Sequence, residues 1–242
     1  MIIDIHTRIG HDPIHEFSQT TEELLKVMDE FDIDKSFVQP FPSMKIRENN
    51  KMVADAVKKH RDRLIGFAGI NPSADNYLKE VEHAAKIGLK GVMLDPEFHS
   101  LFRNMTAVEA IMISCMENNF PVIFNTENIK ALSRQEPYFL GLDRLAFKFP
   151  DVRLVVQPYW PRIPELMRNH RNIILFTSGH HNVPGFLPIL EKVGPTRLCL
   201  GSESPKHHPA MTMKDIRTKK IPDSFKDFIL GKNAQRIFSD IL

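Results

Sequence analysis

The chain has 242 residues, of which 42% are hydrophobic and 26% charged, a composition that excludes disordered, collagen-like and coiled-coil proteins. The formal net charge is only +2, and no window collects five or more basic residues, which argues against a nucleic-acid-binding protein. No apolar run approaches the roughly 20 residues of a membrane-spanning helix. At this length we expect one large domain or two small ones.

Two features predict a cytoplasmic protein. The first residues contain Asp4 and no basic segment, so that they predict a first strand and not a signal peptide. Cys115 and Cys199 both lie in apolar stretches, where we expect buried, reduced thiols.

Short β-branched runs alternate with longer helical patterns along the chain. The runs are almost continuously apolar, which is typical of parallel strands covered by helices. The predicted strands are Ile2–His6, Lys35–Gln39, Leu64–Ile70, Gly91–Leu94, Val122–Asn125, Arg153–Gln157, Ile173–Thr177 and Arg197–Gly201. The predicted helices cover residues 20–31, 50–60, 74–87, 106–118, 139–148, 161–168, 184–193, 222–230 and 233–242.

The strand ends follow one another at the even spacing of a βα unit. Eight such units predict a (β/α)8 TIM barrel that forms a single domain over residues 1–242. An open, doubly wound sheet is the alternative, but the glycine-rich phosphate loop that would favour it does not follow the first strand. The longest predicted loops are His11–Thr20 and Ser204–Ile221, and both follow strands at the expected functional end.

Polar residues end most of the predicted strands. In a barrel the carboxyl ends of the strands carry the function, so we expect these side chains to form one polar pocket. They are Asp4, His6, Arg8, Gln39, Asn71, Asp95, Asn125, Glu127, Gln157, Thr177, Ser178 and Glu203. For any single one, the alternative is that it only bonds the backbone groups at its strand end.

Seven segments carry a resemblance to a known family. They are 3–10 (IDIHTRIG), 91–96 (GVMLDP), 121–126 (PVIFNT), 151–157 (DVRLVVQ), 172–178 (NIILFTS), 197–205 (RLCLGSESP) and 229–238 (ILGKNAQRIF). In this order they resemble the amidohydrolase-related family of TIM-barrel, metal-dependent hydrolases and decarboxylases. The resemblance implies the barrel fold, hydrolysis or decarboxylation of a small molecule, and homodimers.

The resemblance also implies a set of metal ligands that this chain has largely replaced. The first strand of the family ends in His-x-His, whereas this one ends in His6 and Arg8; Asn125 and Gln157 stand where the family places histidines, and Glu203 where it places an aspartate. A guanidinium has no lone pair for a metal and repels a dication. Amide oxygens are poor zinc ligands, and catalytic zinc wants three protein ligands. We therefore expect a degenerate site with no cofactor.

One hypothesis is that the guanidinium of Arg8 takes the place of the metal ion. The first and eighth strands are neighbours in a closed barrel, so this hypothesis pairs the Arg8 guanidinium with Glu203 and bonds it to the carbonyl oxygens of Asn125 or Gln157. The alternative is that Arg8 turns out to solvent.

A second hypothesis moves the metal. The pairs His180–His181 and His207–His208 follow the seventh and eighth strands, close to His6 and Glu203. Two or three imidazoles with a carboxylate would suit Zn²⁺. Histidines that cap helices or bind anions are the more frequent explanation of such loops.

The polar pocket and the resemblance together predict an amidohydrolase-related hydrolase or decarboxylase that acts on a small, carboxylated molecule at the barrel mouth. Glu203 and Asp95 are the candidates for acid or base. The expected binding residues are His6, Arg8, Asn125, Gln157 and Trp160. The alternative is a non-catalytic small-molecule-binding protein of the same fold, and neither nucleic acid nor membrane is an expected partner.

Overall fold

The computed structural model describes residues 1–13, 15–95, 104–125, 132–157, 162–177 and 186–242, and of residues 132–135 it describes only the backbone. The strands are β1 (Ile3–His11), β2 (Ser18–Gln19), β3 (Lys35–Pro40), β4 (Leu64–Gly66), β5 (Ala68–Gly69), β6 (Val92–Leu94), β7 (Val122–Phe124), β8 (Leu154–Val156), β9 (Ile173–Phe176) and β10 (Leu198–Cys199). The helices are α1 (Thr21–Glu30), α2 (Ile46–Lys59), α3 (Tyr77–Lys86), α4 (Met105–Glu117), α5 (Leu132–Lys148), α6 (Ile163–Asn169), α7 (Leu187–Val193), α8 (Pro209–Thr218), α9 (Asp223–Asp227) and α10 (Asn233–Ile237), and a π-helical turn (Phe228–Lys232) joins the last two.

The parallel strands close into a barrel. They form two hydrogen-bonded series, β1-β3-β4 and β5-β6-β7-β8-β9-β10, and only Phe67 separates β4 from β5. On the other side the amide of Ile5 donates to the carbonyl oxygen of Leu200 at 2.8 Å, and Thr7 pairs with Ser204 in a parallel bridge. Counting β4 and β5 as one strand, the described residues supply the eight strands of a TIM barrel, as the sequence predicted.

Alternation along the strands separates two apolar layers. Ile123 and Val155 belong to the cluster inside the barrel, whereas their neighbours Phe124 and Val156 belong to the larger cluster between the barrel and the helices. Successive side chains of a strand point to opposite faces, so this two-residue period decides which side chains enter the barrel. The same period places the polar residue two positions after Ile123 or Val155, which is Asn125 or Gln157, in the barrel mouth.

Both predicted loops contain regular structure. Within His11–Thr20, the short strand β2 pairs antiparallel with the end of β1. Within Ser204–Ile221, the ten-residue helix α8 begins at Pro209. Too few apolar residues mark this helix in the sequence, because its buried side chains include only Met213 and Ile216 among the large hydrophobic ones.

Two further expectations were that the cysteines are buried and that no helix spans a membrane. Cys115 and Cys199 are buried and unpaired, and burial raises the pKa of both thiols. Within the ranges that the structure describes, no helix has the length and apolar character needed to cross a membrane.

Candidate functional site

The strand β1 places a neutral histidine at the barrel mouth. His6 is fully buried, and its ring stacks on that of Phe176 from β9, with centroids 4.4 Å apart and planes 10° apart. Burial, and secondly the charge of Arg8, hold the pKa of His6 well below its ordinary value. The imidazole is therefore uncharged at neutral pH. Neither ring nitrogen has a hydrogen-bond partner among the described residues.

Arg8 carries a buried positive charge at the mouth and is only 5% exposed. Its Cζ lies 5.6 Å from the ring centroid of Phe41. Burial lowers the pKa of Arg8, while the negative charges of Asp95, Glu203 and Asp12 act in the opposite direction. In the described part of the chain, its Nη2 atom has no hydrogen-bond partner. The site therefore holds a buried guanidinium with carboxylates around it and one nitrogen unbonded.

Two amide–carboxylate pairs stand beside Arg8. The Asn125 side chain donates from Nδ2 to Oδ2 of Asp95 at 2.5 Å, and the Gln157 side chain donates from Nε2 to Oε1 of Glu203. All four side chains are buried. Each amide follows an inner apolar residue by two positions, which brings it into the mouth.

These pairs correct one expectation from the sequence. One hypothesis paired Arg8 with Glu203 and bonded it to the carbonyl oxygen of Asn125 or Gln157. In the structure Gln157 donates to Glu203 instead, and within the described residues the guanidinium forms no ion pair with that carboxylate and no hydrogen bond to Oδ1 of Asn125. The alternative, an Arg8 turned to solvent, is wrong as well, because the side chain is buried. The influence of Glu203 on Arg8 is electrostatic and not a hydrogen bond.

The backbone holds Glu203 in an unusual conformation. Its φ angle is 64°, in the left-handed region that few non-glycine residues adopt. Its amide donates to the carbonyl oxygen of His6 at 2.8 Å, which ties the end of β10 to β1. Strained residues of this kind concentrate at functional sites, so the conformation supports a role for Glu203.

The two histidines of the pair His207–His208 point to different partners. The Nε2 atom of half-buried His207 lies 3.8 Å from Oε2 of Glu203, at the site. His208 instead accepts a hydrogen bond from the amide of Ala210 at 3.4 Å and caps α8. The predicted residues that lie outside the described ranges are Glu127, Trp160, Ser178, His180 and His181.

The described residues do not fit a zinc site. They contain no group of three His, Cys, Asp or Glu side chains that could hold a metal ion. The donors around the mouth are two imidazoles (His6 and His207), two carboxylates (Glu203 and Asp95) and weak amide oxygens such as Oδ1 of Asn125. Among the described residues, no three of the imidazoles and carboxylates are arranged to hold one metal ion. The charge of Arg8, which already disfavours protonation of His6, would also repel a dication.

Two further residues fasten the site, and the sequence did not single them out for this role. The Oδ1 atom of Asp4 accepts from the amides of Ser202 at 3.0 Å and His6 at 3.1 Å. Burial, the largest cause, raises the pKa of Asp4 to about 6. Gln19 donates to the carbonyl oxygen of Arg8 at 2.7 Å and accepts from the Ser204 hydroxyl at 2.9 Å. Gln19 fell in a predicted loop, where no pattern marked it.

Comparison with solved structures shows the same fold over whole chains. 5-Carboxyvanillate decarboxylase from Sphingomonas paucimobilis is 16% identical, with a TM-score of 0.78 and 98% of each chain covered. 2,6-Dihydroxybenzoate decarboxylase from Rhizobium is 14% identical, with a TM-score of 0.75 and 98% of each chain covered. 4-Oxalomesaconate hydratase from Rhodopseudomonas palustris is 18% identical, with a TM-score of 0.75, covering 99% of this chain and 96% of its own.

No curated protein matches the chain. The family model described as amidohydrolase matches residues 17–239, which is nearly the whole barrel. The chain therefore belongs to the amidohydrolase family.

Proposed function

We propose that this protein acts on a small, carboxylated molecule at the barrel mouth, by hydrolysis or decarboxylation. The observation that carries the proposal is the buried guanidinium of Arg8 with its Nη2 atom unbonded among the described residues. A desolvated cation with an unused donor is costly unless an anion completes its hydrogen bonds. A carboxylate matches the planar guanidinium through two parallel hydrogen bonds.

The family and the structural neighbours support the same class of reaction. Among those neighbours are two decarboxylases and a hydratase, and each is named for a substrate that carries a carboxyl group. At this level of identity the likeness establishes only the fold. The carboxylated substrate of this chain is therefore argued from Arg8 and not from the names.

Each residue of the mouth has a distinct role in the proposed reaction. Arg8 binds the substrate carboxylate and fixes its orientation. Glu203 and Asp95 are the groups that take or give a proton, and the amides of Gln157 and Asn125 hold one oxygen of each in place. Trp160 remains a predicted wall of the pocket.

His6 contributes as a neutral group. Because it is buried next to Arg8, its pKa is too low for the ring to carry a proton at neutral pH. One nitrogen of such a ring donates a hydrogen bond and the other accepts one. We assign it to substrate binding, where Phe176 fixes the plane of the ring.

The proposed reaction uses no metal step. The described donor set does not fit zinc, so Arg8 supplies the fixed positive charge of the site. A preorganised cation in a buried pocket stabilises negative charge that develops on the substrate, and it does so without rearranging solvent. Any metal brought by the histidines outside the described ranges would contradict this part of the proposal.

A non-catalytic binding protein is the second candidate. The observation that favours it is that both candidate bases already accept a hydrogen bond from a neighbouring amide. In that case the amides of Asn125 and Gln157 would have the single role of satisfying the buried carboxylates of Asp95 and Glu203. Binding of a carboxylate without any turnover would select this candidate.

The test is a screen of small mono- and dicarboxylates with the full chain and its Arg8→Met variant. We expect several carboxylates to raise the Tm of the wild-type protein and none to do so for the variant. Nuclear magnetic resonance of each mixture then follows loss of the carboxyl group or bond hydrolysis. If no carboxylate binds, or if binding does not require Arg8, the proposal is wrong.

We also propose a cytoplasmic homodimer. The two cysteines are buried and unpaired, in keeping with a reducing compartment. On α5, Leu140 is 56% and Phe147 79% exposed, and these apolar side chains would be covered in a dimer. Light scattering of the wild-type protein and of Phe147→Asp tests the assembly, because a dimer formed through α5 would dissociate in the variant.

A further inference from the structure

Gln39, at the last inward-facing position of β3, is a second polar side chain next to Arg8. Gln39 is the register partner of Arg8 across the β1–β3 ladder. Register partners in neighbouring parallel strands project to the same side of the sheet. Phe37, two residues earlier, lies in the cluster inside the barrel, so Gln39 projects into the mouth. It is fully buried.

The amide of Gln39 makes no hydrogen bond within the described chain, through either Nε2 or Oε1. The described chain offers this amide no substitute for the bonds that it makes to water in the unfolded state, so a ligand group that supplies them would remove a cost to folding. Gln19 offers a direct contrast, because it is also buried but both of its amide atoms are bonded. The difference indicates that Gln19 holds the fold together, whereas Gln39 is kept for a ligand.

We propose that Gln39 recognises a primary carboxamide or a lactam of the substrate, next to the carboxylate that Arg8 binds. This inference rests on the proposed function and narrows its substrate class. A primary carboxamide or a lactam presents N–H and C=O on the same side, so it pairs with both amide atoms of Gln39 through two parallel hydrogen bonds. An ordinary trans secondary amide points these groups in opposite directions, and a hydroxyl group matches only one atom well.

A second acceptor points to the same ligand chemistry. Asn125 donates its Nδ2 hydrogen to Asp95, and its Oδ1 atom has no partner among the described residues. Together with Oε1 of Gln39, the mouth therefore offers two buried amide oxygens that need donors. A ligand with only acceptor groups would satisfy neither oxygen, whereas a primary carboxamide brings two N–H donors and a lactam brings one.

The experiment compares two acids that differ in one group. Succinamate carries a carboxylate and a primary carboxamide, and in levulinate (4-oxopentanoate) a methyl group replaces the amide nitrogen at the same spacing. Isothermal titration of the full-length protein gives both dissociation constants. We expect succinamate to bind at least tenfold more tightly, since levulinate leaves buried acceptors unpaired. In Gln39→Met the two acids should bind within about twofold of each other.

Stability measurements separate recognition from a structural role. Gln39→Met removes an unbonded amide and keeps the shape of the side chain, so its Tm should equal or exceed that of the wild type. The matched variant Gln19→Met removes two hydrogen bonds and should have a lower Tm. A Tm loss in Gln39→Met as large as in Gln19→Met would overturn the inference.

The outcomes distinguish this inference from the proposed function. Arg8→Met should weaken the binding of both acids by about 10- to 100-fold if the proposed function is right. Arg8-dependent binding of carboxylates without a preference for succinamate, or with a preference that survives in Gln39→Met, overturns the role of Gln39 alone. If neither these acids nor any other carboxylate of the screen binds, the proposed function falls, and the role of Gln39 falls with it.

Discussion

The ring of Phe176 stacks on that of His6, with centroids 4.4 Å apart. Phe176 fits in this position because Gly201, which lies against it, has no side chain. A Cβ atom at Gly201 would lie 2.6 Å from Cδ2 of Phe176 and 2.8 Å from its Cβ. Gly201, which follows the neighbouring strand β10 by two residues, therefore allows the position of the phenylalanine, and the phenylalanine sets the plane of the histidine.

Gly201→Ala should displace Phe176 and lower the free energy of unfolding by about 1–3 kcal/mol, the usual result of overpacking a core. Urea denaturation measures this change. Adding Phe176→Leu replaces the rigid ring, whose Cδ2 atom lies 2.6 Å from the new methyl group, by a smaller side chain that can turn away, although the contact with Cβ at 2.8 Å remains. The double variant should therefore be less destabilised than the sum of the two single variants. Additive losses would show that the two residues are not in the close contact described here.

Arg8 should be needed for affinity through its shape as well as its charge. Arg8→Met removes a charge-assisted bidentate contact, and we expect carboxylate affinity to fall by about 10- to 100-fold. Arg8→Lys keeps the charge but loses the planar guanidinium, so its affinity for the carboxylate should lie between those of the wild type and Arg8→Met. Titration calorimetry with one carboxylate from the screen compares the three proteins. Equal affinity of the lysine and arginine forms would rule out bidentate binding.

The barrel could be predicted from the sequence because its strands are short apolar runs at even spacing, and the positions of Asn125 and Gln157 at the mouth follow from alternation after Ile123 and Val155. The hydrogen-bond partners of the side chains at the mouth could not be predicted in this way. Whether Glu203 bonds to Arg8 or to Gln157 depends on differences of a few ångströms between side chains from distant strands. Sequence spacing carries no information at that scale.

The same limit applies to α8 and to Gln39. The helix has a weak apolar pattern, and the tertiary packing of Met213 and Ile216 stabilises it more than its own sequence does. Gln39 was visible as one polar strand end among many. Only its register with Arg8 and its unbonded amide distinguish it from residues such as Asn71, whose Oδ1 accepts from the amide of Ser73 at 2.9 Å.

Asp4 should make the protein less stable as the pH rises. Its pKa is about 6 in the fold and 3.8 in the unfolded chain, so between these values the folded state binds more protons than the unfolded state. The free energy of unfolding then falls with rising pH, by about 3 kcal/mol from this group. Asp4→Asn keeps an acceptor for the amides of Ser202 and His6 but cannot titrate.

Urea denaturation of the wild type and Asp4→Asn at pH 4, 5, 6 and 7 tests this prediction. The difference between the two proteins should move in favour of the variant up to pH 6 and then level off. His6 titrates in the opposite sense, since its lowered pKa costs stability as the pH falls, but both proteins contain it and it cancels in the difference. A difference that does not change with pH would contradict the buried, ionising carboxyl group.

The replaced ligand positions lead to a last prediction, on metal content. Protein purified without a histidine tag should hold less than about a tenth of an equivalent of zinc, because the described residues offer no group of three zinc ligands and the guanidinium of Arg8 lies beside His6. The double variant Arg8→His/Gln157→His removes the repelling charge and places three imidazoles near Glu203, which Gln157 no longer holds. It should retain about one equivalent after dialysis. The matched variant Arg8→Met/Gln157→Met loses the same two groups but adds no ligand, and it should remain as metal-poor as the wild type.

Stoichiometric zinc in the wild-type protein would show instead that histidines outside the described ranges complete a metal site, and Arg8 would then have to be assigned to the substrate alone.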